Sequence, residues 1–376
     1  MEQVKPQPAA SQVGGNAVRA ATKVTPELLQ ERFDLLTKGE AALAALQLEA
    51  ALLAFERAAN ILHAADTEMA LVRTYMQYGQ YRRALAAGAH TAGAHLDVVG
   101  GSALYAWLLH AGAQTGVAQR LLGEAQSRMP GNEVLTLVQQ QLQSGHPLAT
   151  GNMLNPPTRL APYGSAQGLP AAARVVGSAV LLPGGTHAWV PLSLLPRGAK
   201  HAKLWLRNGM GRLVQGSVVK RLPGAGVTVV KLSQPLPVPD DFWIAHKEPF
   251  PGSPGYALEY VVNPTDAQDA APAWPILRLG FLGGMVSPTG TQRVLGIEML
   301  AGPRGGPVFD GAGRLIGIAV RGKPGAVDQL VTVSQLQKAI GQSLGDVIPN
   351  SAPTISTADR IYENGLKVSL QVITTP

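Results

Sequence analysis

The chain has 376 residues, 46% of them hydrophobic, with 31 Lys or Arg against 24 Asp or Glu for a net charge of +7. That is enough apolar material for two or three packed domains, and no apolar run approaches the 18 or so residues of a membrane-spanning helix. Cysteine is absent, which excludes disulfides and thiolate metal sites without choosing a compartment.

The charge is unevenly placed. Residues 1–150 hold 11 Lys or Arg and 12 Asp or Glu, and the remainder holds 20 and 12. A basic second half would steer encounter with acidic surfaces. Its cations never form a run longer than two and no nucleic-acid motif accompanies them, so no nucleic acid is expected as a partner.

In chain order, residues 1–25, with Pro6, Pro8 and small polar residues, read as a disordered arm. The start Met1-Glu2-Gln3 shows no signal peptide. From 26 to 143 apolar residues recur at helical spacing. Within that stretch Ala51-x-x-x-Phe55-x-x-Ala58 follows Gly39 by 12 residues, Gly79-Gln80-Tyr81 precedes Ala84, and Ala118 precedes Pro130. Ala51, Ala84 and Ala118 are therefore 33 and 34 residues apart. This small–large–small pattern at that period resembles the tetratricopeptide (TPR) repeat. The resemblance implies three stacked helix pairs, a closing helix over Glu133–Gln143, and a concave surface on which protein partners dock. A generic helical bundle is the alternative reading. His63, His90, His95 and His110 are scattered along this half without a ligand spacing such as His-Glu-x-x-His, so neither a metal nor a cofactor is expected.

Residues 144–173, with five prolines, read as a linker that packs on one domain. A β region follows over 174–345. Its segments are Gly177-Ser178-Ala179-Val180-Leu181-Leu182, Trp189 to Leu195, Gly226 to Leu232, Tyr256 to Pro264, the loop Gly302-Pro303-Arg304-Gly305-Gly306-Pro307, then Arg314 to Ile318 and Leu330 to Val333. In that order they resemble the trypsin-like serine protease domain, closest to its bacterial HtrA-type branch, and the resemblance implies a double β-barrel ending in a helix over Val333–Gly341.

The same resemblance implies that the catalytic residues are gone. Arg304 stands where the nucleophile would be, Ser193 or Leu194 where the general base would be, and Gly226 where the orienting carboxylate would be. Gly302 and Arg304 belong to the former oxyanion loop. Guanidinium stays protonated and cannot attack a carbonyl. Arg304 is expected either to point into solvent through the former cleft or to pair with an acid, with Glu298, Asp310 and Asp328 as candidates. Over 346–376 a linker precedes a short capped helix over Thr357–Asn364 and a strand over Leu366–Ile373. That strand either folds back as the barrel's missing strand or pairs with a partner.

Two function classes follow. The first is a non-catalytic scaffold or adaptor, a TPR arm joined to a pseudoprotease within a larger assembly, its partners docking on the helices. The resemblance places it in the periplasm or another exported setting; a cytoplasmic setting stays open. The second is a hydrolase with relocated groups, Ser178, Ser193 or Ser287 with His187 or His201. A ligand-sensing barrel that regulates a partner protease is the remaining reading.

Overall fold

A computed structural model describes residues 24–145, 147–165, 168–195, 204–245, 247–262, 270–286, 292–302, 304–322, 326–341 and 355–375. Residues 1–23 of the expected N-terminal arm lie outside these, as do His201, Ser287, Pro303 and most of the expected linker after 345.

The first element is helix α1 (Pro26–Ala44), opened by Pro26 in its first turn and by Thr25, whose hydroxyl accepts from Leu28 N at 3.4 Å. It pairs with α2 (Leu48–Ile61). The pattern recurs as α3 (Ala65–Gln77) with α4 (Tyr81–Ala94), and as α5 (Val99–Ala111) with α6 (Thr115–Arg128). The three hairpins share one turn. Leu46, Gly79 and Ala113 all adopt left-handed backbone, at φ of 58°, 72° and 67°. The next residue is Gln47, Gln80 or Gln114, and its N–H donates to the carbonyl five residues back, Ala42, Tyr75 or Leu109, at 2.8–2.9 Å. This closure satisfies carbonyls that the helix end would otherwise leave open. Ala51, Ala84 and Ala118 sit four residues into the second helix of each pair and are fully buried. At Gly39 a Cβ would stand 2.5 Å from Phe55 Cε1, so only glycine lets α1 and α2 close to this distance. Helix α7 (Glu133–Gln143), capped by Asn132, covers the last pair with Leu135, Val138 and Leu142.

The segment from Pro147 is not a free linker. It buries Met153 and Leu160 in the core shared with the helices. Gln77 at the end of α3 ties three parts together, donating to Tyr163 O at 2.7 Å and Met210 O at 2.6 Å while accepting from Tyr163 N at 3.0 Å.

Strands β1 (Arg174–Leu181), β2 (His187–Pro191), β3 (Leu204–Asn208), β4 (Leu213–Leu222), β5 (Val227–Leu232) and the chain's last strand form a closed barrel, order β1-β12-β3-β4-β5-β2, where β12 is Ser369–Thr374. The remaining strands are β6 (Pro254–Glu259), β7 (Ile276–Phe281), β8 (Arg293–Val294), β9 (Pro307–Asp310), β10 (Leu315–Val320) and β11 (Gln329–Thr332). They form a second sheet, order β7-β6-β9-β10-β11-β8. Beyond β7 the chain bonds to the segment around β8, Val294 N to Gly284 O at 2.9 Å and Val286 N to Gln292 O at 2.8 Å, which curls the sheet toward closure. Helix α8 (Val333–Ile340) follows, with a capping box of Thr332 and Gln335 and Gly341 left-handed at its end. This is the double-barrel plan of trypsin-like proteases, preceded by a helical repeat.

Of the two placements for the C-terminal strand, the structure has the fold-back. β12 pairs with β1, from Arg174↔Thr374 to Val180↔Ser369, and with β3, from Leu204↔Thr374 to Asn208↔Leu370. The expected boundary is corrected: helix α9 runs over Ala358–Val368, so Leu366 to Val368 are helical. The apparent alternation there is the end of an amphipathic helix face, Ile361, Tyr362, Gly365 and Leu366, all buried. Helix α9 also joins the two halves. Tyr362 packs edge-on against Tyr81 with ring centroids 4.3 Å apart, and Glu363 accepts from Arg82 N at 2.9 Å.

Candidate functional site

The loop that resembles a nucleophile loop runs between the barrels because its glycines allow it. A Cβ at Gly305 would fall 1.8 Å from Ser178 O on β1, and one at Gly306 only 1.5 Å from Leu258 O on β6. Gly305 also has a φ of 141°. The pair is therefore a spacer at the seam of the two sheets.

Arg304 precedes that spacer and points inward, only 5% exposed. Its Nε donates to Asp328 at 2.6 Å, its Nη1 donates to the carbonyls of Leu300 and of Gly302, the latter at 3.1 Å, and the same nitrogen lies 3.7 Å from Glu259. Glu259 is buried on β6, accepts from Leu300 N at 2.6 Å and lies 3.5 Å from Arg278. Burial pushes the Glu259 carboxyl above its ordinary range, opposed by the Leu300 N–H and the two guanidinium groups. Arg321, which also donates to Gly302 O, stands 3.9 Å from Asp328. The guanidinium groups of Arg304 and Arg321 thus hold the loop's carbonyls in place, and the carboxylates of Asp328 and Glu259 balance their charge.

Of the three acids expected to meet Arg304, only Asp328 does. Asp310 instead closes its own turn, accepting from Ala312 N and Arg314 N and pairing with Arg314 at 2.7 Å. Glu298 lines a separate cavity beside His110 and Arg278. Glu259 was missed by sequence reasoning, although an acid between Leu258 and Tyr260 in an apolar strand is a recognisable signal of a buried partner.

The positions that the resemblance assigns to the base and the orienting carboxylate face an open groove of about 570 Å³ lined by Leu192, Ser193, Leu195, Arg221, Gly226, Val320 and Arg321. Two expectations are corrected here. Trp189 to Leu195 is not one strand: β2 stops at Pro191, and Leu192 to Leu194 form a 3-10 turn. Gly226 precedes β5 and is left-handed, at φ 66°, closing the turn Pro223–Ala225. Its carbonyl accepts from Leu192 N at 2.8 Å, which brings the Ser193 turn and Gly226 together. The groove's lining has one hydroxyl and two guanidinium groups, with no imidazole or carboxylate among the described residues. Leu194 is not part of this lining.

The alternative nucleophiles have other partners. Ser178 is fully buried and its Oγ accepts from Tyr260 N at 2.9 Å. His187 contacts Thr186 Oγ1 at 3.0 Å on β2 and does not line the groove.

The histidines of the helical half are not scattered in space. His63, His90 and His95, far apart in sequence, converge on Glu68 because consecutive hairpins stack. His110 stands apart, 3.0 Å from Thr115 Oγ1; burial, and then the Arg278 charge, push its imidazole down to about 4.

No protein-family model matches the chain, and no curated protein matches it. Similar solved structures are the MamO protease domain of Magnetospirillum magneticum, 18% identical, covering 46% of this chain and 98% of that one, with a TM-score of 0.31. Another is Rv3671c of M. tuberculosis H37Rv, a serine-to-alanine mutant in its inactive form, 11% identical, covering 46% and 85%, with a TM-score of 0.32. A third is a serine endoprotease of Yersinia pestis, 13% identical, covering 46% and 63%, with a TM-score of 0.32. Each leaves more than half of this chain without a counterpart, and the fold described here rests on the strand order.

Proposed function

We propose that this protein is a non-catalytic scaffold: a TPR-type arm rigidly joined to a pseudoprotease, acting through protein–protein contacts in an exported assembly. The observation that carries this reading is the state of Arg304. It occupies the nucleophile's position in the loop resemblance, and it is buried and spent on Asp328, Glu259 and two loop carbonyls. Serine attack needs a base within hydrogen-bond reach and a third group to orient it. The groove offers Ser193 with guanidinium neighbours, which cannot accept a proton.

The partner surface is assigned to the helices. Their repeated hairpins build a continuous sheet-free face, and the basic β half steers acidic partners toward it. Among the described residues no helix is long and apolar enough to cross a membrane.

The test treats pure protein with a fluorophosphonate probe and a casein panel, alongside Arg304→Ser. Neither protein should label or cleave, because a restored serine has no base. Enzyme-like cleavage by the wild type, rising in Arg304→Ser, would refute the pseudoprotease reading. Labelling of wild type that is lost in Ser193→Ala would instead favour the relocated hydrolase.

A further inference from the structure

The geometry points to a divalent metal site in the helical repeat, built from His63, Glu68 and His95 with His90 beside it, for a borderline ion of the Zn²⁺ class. His63 lies in the turn after α2, Glu68 in the first turn of α3, His90 near the end of α4, and His95 caps that helix. The donor atoms of His63, Glu68 and His95 all lie within 4.8 Å of one another. The Nε2 atoms of His63, His95 and His90 stand 2.7, 3.3 and 3.5 Å from a single oxygen, Glu68 Oε1. Ligands about 2.0–2.1 Å from a tetrahedral ion are separated from each other by about 3.3 Å. The two longer spacings already match that separation.

The polar atoms are close without being satisfied. Neither Glu68 oxygen nor His95 Nε2 has a hydrogen-bond partner of acceptable geometry among the described residues, although Glu68 is buried. A buried carboxylate in that state is costly. Two guanidinium groups of the first repeats are engaged elsewhere: Arg32 pairs with Asp66, and Arg73 holds Glu40 at 2.7 Å. One cation shared by Glu68 Oε1 and the imidazoles would partner the donor atoms that converge there. Imidazole with carboxylate selects Zn²⁺ and its first-row neighbours over Mg²⁺ or Ca²⁺, which prefer oxygen alone.

The position gives such an ion a structural effect. His95 occupies the same place after α4 that Leu62 occupies after α2, each capping its helix. The ligands therefore come from two consecutive repeat exits, and the ion would clamp the first hairpin to the second. The side chains of His63 and His90 are largely exposed, which leaves a route for entry.

The test is a titration of the full untagged chain with Zn²⁺, and with Co²⁺ for its visible d–d bands. One equivalent should bind with a Kd on the order of micromolar or tighter, and the Tm should rise by several degrees. His63→Ala, at an exposed side chain, keeps the packing and should weaken binding by roughly 100-fold or more. His95→Gln should do the same, with circular dichroism confirming the fold of each variant. Absence of saturable Zn²⁺ binding below roughly 100 µM would overturn the site. Binding unchanged in folded His63→Ala would overturn it equally, since the metal would then sit elsewhere.

Discussion

The helical repeat and the β domain reach stability by opposite routes. In the helices most contacts are local, made within a hairpin or with the next one, so Gly39 meets Phe55 across the first hairpin and the left-handed turn recurs at Leu46, Gly79 and Ala113. In the β domain the decisive pairing joins the ends of a long stretch, since β12 fills the slot between β1 and β3 from nearly two hundred residues away. A repeat can lose a part and keep the rest; a closed barrel cannot. At the seam between the barrels the glycines and the ion network serve closure.

The largest break of this symmetry is removal of the chain's end. Truncation after Ile348 deletes Ile361, Tyr362, Leu366, Val368, Leu370, Val372 and Ile373, all essentially inaccessible to solvent. At about 1.5–3 kcal/mol for each buried side chain, the loss is as large as the roughly 5–15 kcal/mol that holds a domain together. The truncated chain should keep helical circular dichroism while its β domain fails to melt cooperatively. A melting curve like the full chain's would show that β12 is dispensable.

Next is Arg304→Met. It leaves Glu259 and Asp328 without their shared guanidinium, and breaking a buried pair in this way costs about 3–5 kcal/mol. The double variant Glu259→Gln/Arg304→Met should recover part of that loss, because the buried charge goes too. Urea titrations of both variants and of Glu259→Gln alone decide it; losses that simply add would mean that Glu259 and Arg304 do not couple.

Reading the residues in order shows which features can be seen in a sequence. Small residues at 33 and 34 leave a visible period because every hairpin needs them at the same crossing. The loop Gly302–Pro307 is visible because glycine alone survives at two sheet approaches below 2 Å for a Cβ. The cluster around Glu68 was invisible, since its members are adjacent only after the hairpins stack. Asp310 was misjudged as a partner for Arg304 because proximity in sequence gave no hint that its own turn would consume it.

The third effect separates the halves by pH at their contact. His110 is buried, and its folded pKa of about 4 lies below the ordinary 6.5. A depressed imidazole favours unfolding when protonated, so its stability contribution is full above about pH 6.5 and is lost as pH falls toward 4, about 3 kcal/mol in all. His110→Gln should flatten this part of the pH–stability curve measured by urea denaturation. A wild-type curve with no fall across that window would remove His110 as its source.

The smallest expected effect runs in the stabilising direction. Ala113 holds φ 67° in the third hairpin, where the second hairpin has Gly79 at φ 72°. A side chain in left-handed backbone costs about 1–2 kcal/mol, whereas glycine avoids that clash and gives up roughly 0.5–1 kcal/mol in chain entropy. The Gln114 N–H still closes onto Leu109 O, and the only other change is the small core contact of the half-buried Ala113 methyl group. Ala113→Gly should therefore raise stability by about 0.5 kcal/mol, and Leu46→Gly should act in the same direction because it relieves the same left-handed backbone. Urea midpoints for the two variants measure this. A loss at Ala113→Gly would mean that the three turns share a shape without sharing its cause.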